Sequence, residues 1–180
     1  MKLLVCAGAA AALLTACNPS VQVSSSPSPS PNPSASGIAL KITGHGTGAR
    51  PVRFVAQEQK TNRVQYDLLA TSFESIGAAG SARVAFASAR VTFHGKDGST
   101  LFARAPQAIV DQTTNTIEML GGVHAANEAG TTLTCDELRY DRRTEMVDGS
   151  GHVTIVSKDG FRATGDRIES DISLTHTRMQ

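Results

Sequence analysis

Three carboxylates stand thirty residues apart, Asp111, Asp141 and Asp171, each followed by Thr or Ser within three residues. Two carboxyl groups at a set separation are the equipment of glycoside hydrolysis, one protonated as general acid and the other ionised. No general acid recurs at fixed spacing from these three, and their period is that of the apolar residues around them. Asp and Thr at such places bond backbone amides of their own turn, so the three are assigned to structure and no catalytic residue is expected. His45, His94, His124, His152 and His176 show no ligand spacing such as His-Glu-x-x-His, although His124 and His152 could approach across adjacent strands. No metal site and no cofactor are expected. Gly44-His45-Gly46-Thr47-Gly48 resembles a phosphate loop in glycine content alone, lacking the Lys and the following helix.

The cysteines carry a different chemistry. Met1 and Lys2 give a positive start, an apolar run extends from Leu3 to Leu14, and Leu14-Thr15-Ala16-Cys17 fits the lipobox of bacterial lipoproteins. The run is too short to span a bilayer, so residues 1–16 read as a signal peptide. Cys17 would receive a diacylglyceryl group on sulfur and become the new N-terminus, anchoring the chain to a membrane through its acyl chains. Cys6 leaves with the signal. Cys135 then remains alone, where the neighbouring units carry Ala105 and Gly165, and reads as a small buried thiol with no disulfide partner.

Composition narrows the classes further. The 180 residues are 40% apolar, with room for one modest domain. Trp is absent and aromatics total 4%, which leaves little for base-stacking or sugar-binding shelves. Removing residues 1–16 takes Lys plus Arg from 17 to 16 against 16 acids, a formally neutral chain in which capture of nucleic acid is not expected. Residues 17–37 pass through Ser26-Pro27-Ser28-Pro29-Ser30-Pro31-Asn32-Pro33, a composition that buries no core and favours polyproline II. They read as a semi-rigid spacer, with the folded domain at 38–180.

The elements that must position any site have period two. Val52, Phe54 and Ala56 alternate with polar or outward residues, as do Val64, Tyr66, Leu68 and Ala70, then Val84 and Phe86, then Ala89, Val91 and Phe93. Turn signals separate them at Lys60-Thr61-Asn62, 77–81 and Lys96-Asp97-Gly98. Residues 71–76 are the nearest candidate for a helical turn. Through the C-terminal half a pattern returns every thirty residues: Leu133, Leu138, Tyr140, Asp141, Thr144, Val147, Gly151, Val153 and Gly160 match Ala103, Ala108, Val110, Asp111, Thr114, Ile117, Gly121, Val123 and Gly130. The expectation is an all-antiparallel sheet of strands five to seven residues long, bulged or bent near Gly149-Ser150-Gly151.

From residue 64 to 179 the chain resembles the LptC and LptA (OstA-like) family of lipopolysaccharide-export proteins. The resemblance is carried by Tyr66-Asp67-Leu68-Leu69-Ala70, Val91-Thr92-Phe93, Asp97-Gly98, Leu101, Ala103, Ala105, Ala108, Asp111, Asn115, Ile117, Leu120, Gly121 and Val123. It continues in Gly130-Thr131-Thr132-Leu133-Thr134, Leu138, Tyr140-Asp141 and Gly151-His152-Val153. LptC has an N-terminal transmembrane helix where this chain has a lipobox and a spacer.

The resemblance implies a twisted, V-shaped antiparallel β-jellyroll whose inner face holds lipopolysaccharide acyl chains. Such a protein would pass lipopolysaccharide or a related glycolipid from an inner-membrane ABC-type transporter to an LptA-like periplasmic jellyroll. It would be a periplasmic lipoprotein, anchored more plausibly in the inner membrane. Small inward residues, Ala103, Ala105, Ala163 and Gly165, can leave a slot between sheets, and acyl chains need only dispersion and dehydration there. The candidate groove residues are Phe54, Tyr66, Leu68, Phe86, Phe93, Leu101, Leu133, Leu138, Tyr140, Ile155 and Phe161, with ordinary core packing as the alternative for each. The alternating segment 171–177, containing Ile172, Ser173, Leu174 and Thr175, is the expected partner edge, and the strand near 52–56 the transporter side. The alternatives are a lipid-anchored β-repeat scaffold or surface adhesin without cargo, and an envelope enzyme with a polar cleft.

Overall fold

The computed structural model describes residues 40–47, 50–58, 60–77 and 83–180, so the leader, Cys17 and the Ser/Pro segment lie outside the described residues. The described residues form eleven strands and no helix: β1 (Leu40–His45), β2 (Val52–Gln57), β3 (Val64–Ala70), β4 (Ser72–Gly77), β5 (Arg83–His94), β6 (Thr100–Asp111), β7 (Thr116–Asn127), β8 (Thr132–Asp141), β9 (Met146–Val156), β10 (Arg162–Asp171) and β11 (Thr177–Met179). No helix among them is long and apolar enough to cross a membrane. The order β1-β4-β5-β6-β7-β8-β9-β10-β11 is antiparallel throughout, with β3 also paired to β5 and β2 to β3. This is the all-β architecture expected, consistent with a β-jellyroll.

A single line of irregularities crosses the sheet and decides its shape. β5 pairs β4 through 83–87 and β3 through 90–93, and Ser88 between these halves has φ 51°. The register shifts between Arg104 and Gln107 in β6, Leu120 and Val123 in β7, Thr134 and Glu137 in β8, and Gly165 and Arg167 in β10. Bulged residues bend a strand and tolerate what a regular ladder rejects. Pro106, which has no N–H to give, sits on this line in β6, and Gly121 and Gly122 take φ of 87° and 94° beside it in β7. Gly151 and His152 do the same in β9, at 73° and 48°. Thr71 makes the crossing between β3 and β4, its N–H donating to Ala87 O at 3.0 Å and its O accepting from Gly46 N at 2.6 Å.

The bulges keep one face apolar across the bend. In β6 the buried residues are Leu101, Ala103 and Ala105 before Pro106, and Ala108 and Val110 after it, a switch from odd to even numbers. β5, β8 and β10 switch likewise, whereas β7 and β9 insert two positive-φ residues and keep their parity. Each long strand thereby folds in two with its apolar side inward. One layer holds β2, β3, 89–94, 100–105, 123–127, 132–135, 153–156 and 162–165; the other holds β1, β4, the remaining strand halves and β11. Phe54 of the first layer meets Phe86 of the second edge-on, ring centroids 5.7 Å apart.

Polar contacts clasp the layers at one side. Glu145, with φ 60° in the β8–β9 turn, accepts from Arg63 Nη2 at 2.5 Å and from the Lys96 backbone N–H at 2.9 Å. Arg142 donates to Gln65 Oε1 at 2.7 and 3.0 Å, and Asn127 Nδ2 donates to Ser173 O at 2.5 Å.

Several expectations change. Residues 71–76 are not a helical turn, since β4 occupies Ser72–Gly77. β5, β6 and β7 run twelve residues each, because two short strands join through a bulge. The stretch 171–177 is not one strand: β10 ends at Asp171, residues 172–176 form a loop, and β11 starts at Thr177. The Asp171 carboxylate causes this by collecting the Thr175 N–H at 3.0 Å.

Candidate functional site

The three periodic aspartates are turn residues, as their spacing indicated. Asp111 Oδ1 accepts from the Thr113 and Thr114 amides at 2.8 and 3.1 Å, and Asp141 Oδ1 from the Arg143 amide at 2.8 Å. The Thr114 amide is the largest influence holding the Asp111 carboxyl below its usual range. Among the described residues no group of His, Cys, Asp and Glu is placed to hold a metal ion. His124 and His152 do not sit on adjacent strands, because β8 runs between β7 and β9, and His152 Nδ1 instead lies 2.7 Å from Asp136 Oδ2. Cys135 is buried, and burial pushes its thiol up to about 12.

The eleven candidate groove residues fall into three groups. Tyr66, Leu68, Phe86, Phe93, Leu101, Leu133, Leu138, Tyr140 and Ile155 are all buried on the inner faces of the two layers, packed into one core. Phe54 is partly buried against that core from β2. Phe161, just before β10, is 69% exposed. Two tyrosine hydroxyls lie deep inside. Burial pushes both phenols up, and Arg142, whose guanidinium sits 5.7 Å from the Tyr66 ring centroid, opposes the shift at Tyr66. Tyr140 Oη is buried with no hydrogen-bond partner among the described residues.

The inner face opens at the last strands. A recess of about 370 Å³ there is lined by Ile155, Phe161, Ala163, Leu174 and Met179 together with Thr131, Ser157, Thr175 and Thr177. Ile155 and Ala163 come from the first layer, Met179 from β11, and Leu174 from the loop before it. The Ala163 position, small at an inward place, leaves this mouth unfilled; Leu174 and Met179 had no role in the sequence reading of the groove. Beside it, residues 162–165 of β10 pair β9 on one side only among the described residues, while β11 covers β10 at 168–170 and Gln180 bonds the backbone of Asp166 and Arg167. Ile172 and Leu174 point into the core at 2% and 6% exposure, Ser173 accepts from Asn127, and Thr175 donates to Asp171.

A family model described as lipopolysaccharide-assembly, LptC-related, matches residues 53–178, from β2 through β11. The chain belongs to the LptC-related family. Membership places it in lipopolysaccharide assembly and transport, among periplasmic components of the cell envelope that associate with lipopolysaccharide and its transport machinery. No curated protein matches the chain closely enough to serve as a relative. The matched span of this LptC-family chain contains the bulge line, every strand except β1 in whole or in large part, and all of the mouth's lining but Met179.

A second recess of the LptC-family domain, larger than the mouth, lies on the outer face of the first layer. It measures about 700 Å³ and is walled by Leu69, Arg90, Thr92, Phe102, Arg104 and His124 among others. Period-two alternation marked Leu69, Arg90 and Thr92 as outward. Their grouping depends on which strands are neighbours and in what register, which no local pattern encodes.

Proposed function

We propose that this LptC-family protein holds the acyl chains of lipopolysaccharide, or a related glycolipid, between its two layers and hands them onward through the mouth at β10 and β11. The observation that carries the reading is the apolar recess of about 370 Å³ formed by Ile155, Phe161, Ala163, Leu174 and Met179, which opens the buried face at one end. Each methylene moved from water into such a space is worth about 0.8 kcal/mol, so a fatty chain needs no further chemistry to be held. Tyr140 Oη, buried without a partner among the described residues, supports a guest that brings a polar atom. The closed packing of Phe93, Leu101, Leu133 and Leu138 means that the layers part to admit it.

Edges left uncovered among the described residues support a relay. β2 pairs β3 alone, which suits it to the inner-membrane ABC-type transporter, while 162–165 and β11 suit an LptA-like jellyroll on the other side. In this reading Cys17 is lipidated in the inner membrane and residues 17–37 are the spacer that places the domain in the periplasm. The protein performs no catalysis. The second reading, a lipid-anchored scaffold without cargo, is favoured by the closed core.

A photoreactive residue at Ile155, and separately at exposed Glu169 on the outer face of β10, distinguishes the two in cells making the full chain with its transporter. Glycolipid adducts at Ile155 and not at Glu169 support the groove. Folded, abundant protein with no adduct at Ile155 supports the scaffold.

A further inference from the structure

The outer recess has a feature that the interlayer groove does not need. Arg90 of β5 stands directly across from Arg104 of β6, and Arg104 directly across from His124 of β7. Like charges opposite one another on neighbouring strands repel. Among the described residues neither guanidinium has a carboxylate within ion-pair distance, and Asp67, the one acid in the wall, is already held by Arg53 through two bonds to its Nε at 2.9 and 3.1 Å. The next row across the same strands is Thr92, Phe102 and Ala126, in register with one another, and Phe102 is 48% exposed. Leu69 faces Arg90 on the other side. The recess therefore presents a row of basic donors beside an apolar shelf.

We propose that this recess binds the phosphate headgroup of an anionic phospholipid, with Arg90, Arg104 and His124 around the phosphate and Phe102 and Leu69 against the first carbons behind it. The charge row is the argument for an anion: a bound phosphate turns a repulsive Arg–Arg opposition into two charge-assisted contacts. The two non-bridging oxygens of a phosphodiester accept from both guanidinia at once. The exposed Phe102 is the argument for an amphiphile over a bare ion, because an aromatic ring beside guanidinia suits the boundary between headgroup and acyl chain. The site opens on the other side of the layer from the interlayer groove: Val91, Ala103, Ala125 and Leu133, which form its floor, are buried in the core, while Arg90, Phe102, Arg104 and His124 are exposed.

The chain contains no Trp, so Phe102→Trp places a single indole in the recess. The purified full chain in nonionic detergent is titrated with dihexanoylphosphatidylglycerol, with zwitterionic dihexanoylphosphatidylcholine and with inorganic phosphate. The expected result is a saturable blue shift with the glycerol lipid, at least about tenfold weaker binding of the choline lipid, and no blue shift with phosphate. Arg90→Gln or Arg104→Gln weakens the glycerol lipid about fivefold each. Each of these variants unfolds at the same temperature or higher, because an opposed charge is gone. Equal response to both lipids, no response to either, a phosphate response equal to that of the lipid, or unchanged affinity in both Gln variants overturns the proposal.

Discussion

Phe93 and Tyr140 lie ring to ring, centroids 4.4 Å apart at an interplanar angle of 44°, although β5 and β8 are not neighbours in the sheet. Phe93 comes from the half of β5 beyond Ser88, and Tyr140 from the half of β8 beyond Asp136. Their contact exists because the bulge line folds the sheet over, and it closes the layers at this point. Any guest between the layers displaces this contact or passes beside it.

Tyr140 carries its hydroxyl into that contact without a hydrogen bond to any of the described residues. Removing an unsatisfied buried hydroxyl while keeping the ring is neutral or stabilising, by up to about 1 kcal/mol. Tyr140→Phe is therefore expected to raise the urea midpoint or leave it unchanged, whereas Tyr140→Ala lowers stability by about 3–5 kcal/mol through the cavity it leaves. A clear loss in Tyr140→Phe means the hydroxyl has a partner after all.

Glu145 fastens the layers at their clasped side, with its side chain 11% exposed between Arg63 and Lys96. Glu145→Ala leaves the Arg63 guanidinium, itself 24% exposed, with only the more distant Glu58 carboxylate at 3.7 Å, and is expected to cost about 2 kcal/mol in denaturant unfolding. Glu145→Gln, which still accepts from the Lys96 amide, is expected to lose less. Equal stability of Glu145→Ala and the parent chain indicates that the clasp contributes nothing.

Much of this architecture was legible in the chain. The alternation of Val91 with Phe93 and of Leu138 with Tyr140 marked inward faces, and Asp111 and Asp141 announced their turns through the Thr residues beside them. What failed did so for local reasons. Ile172 and Leu174 alternate like a strand and do bury their side chains, but Asp171 gathers the following amides and Leu174 takes φ 56°, so the backbone loops. The phase switch at Pro106 is visible as Ala105 and Ala108 three residues apart, yet only the pairing of six strands shows that such switches align into a fold line. The juxtaposition of Arg90 with Arg104 depends wholly on register.

Asp171 supplies a pH dependence. Burial pushes its carboxyl up, but hydrogen bonds from the His176 and Ser173 side chains and from the Thr175 and His176 amides outweigh burial and hold it far below the usual carboxylate range. A depressed folded value means that its stabilisation is complete above the unfolded value of about 3.9 and is lost as pH falls through the folded value. Asp171→Asn is expected to be less stable at neutral pH and to show a shallower loss of stability below about pH 4. An acid limb identical in slope to that of the parent chain removes Asp171 from this role.

Gly149 permits close approach inside the second layer. A Cβ built there would lie 2.7 Å from Ile168 Cγ2 and 3.4 Å from Cys135 Sγ, and Ile168 is fully buried. Gly149→Ala is expected to cost about 1–3 kcal/mol by overpacking, and with Ile168→Ala, which removes Cγ2, the double variant is expected to lose less than the two single losses combined. Additive losses in the double variant show that the two side chains do not compete for the same space.

The central claim is that acyl chains occupy the space between the layers, and the separation of those layers tests it most directly. Spin labels on Asp159→Cys, in the exposed turn of the first layer, and Arg178→Cys, on exposed β11 of the second, report that separation across the mouth by pulsed electron resonance. Cys135, buried with its thiol pushed up to about 12, escapes the reagent. Adding lipopolysaccharide to the detergent-purified full chain is expected to shift the distance distribution to longer values by several ångströms, and a lipid lacking acyl chains is expected to leave it unchanged. An unchanged distribution with lipopolysaccharide demonstrably bound contradicts the account.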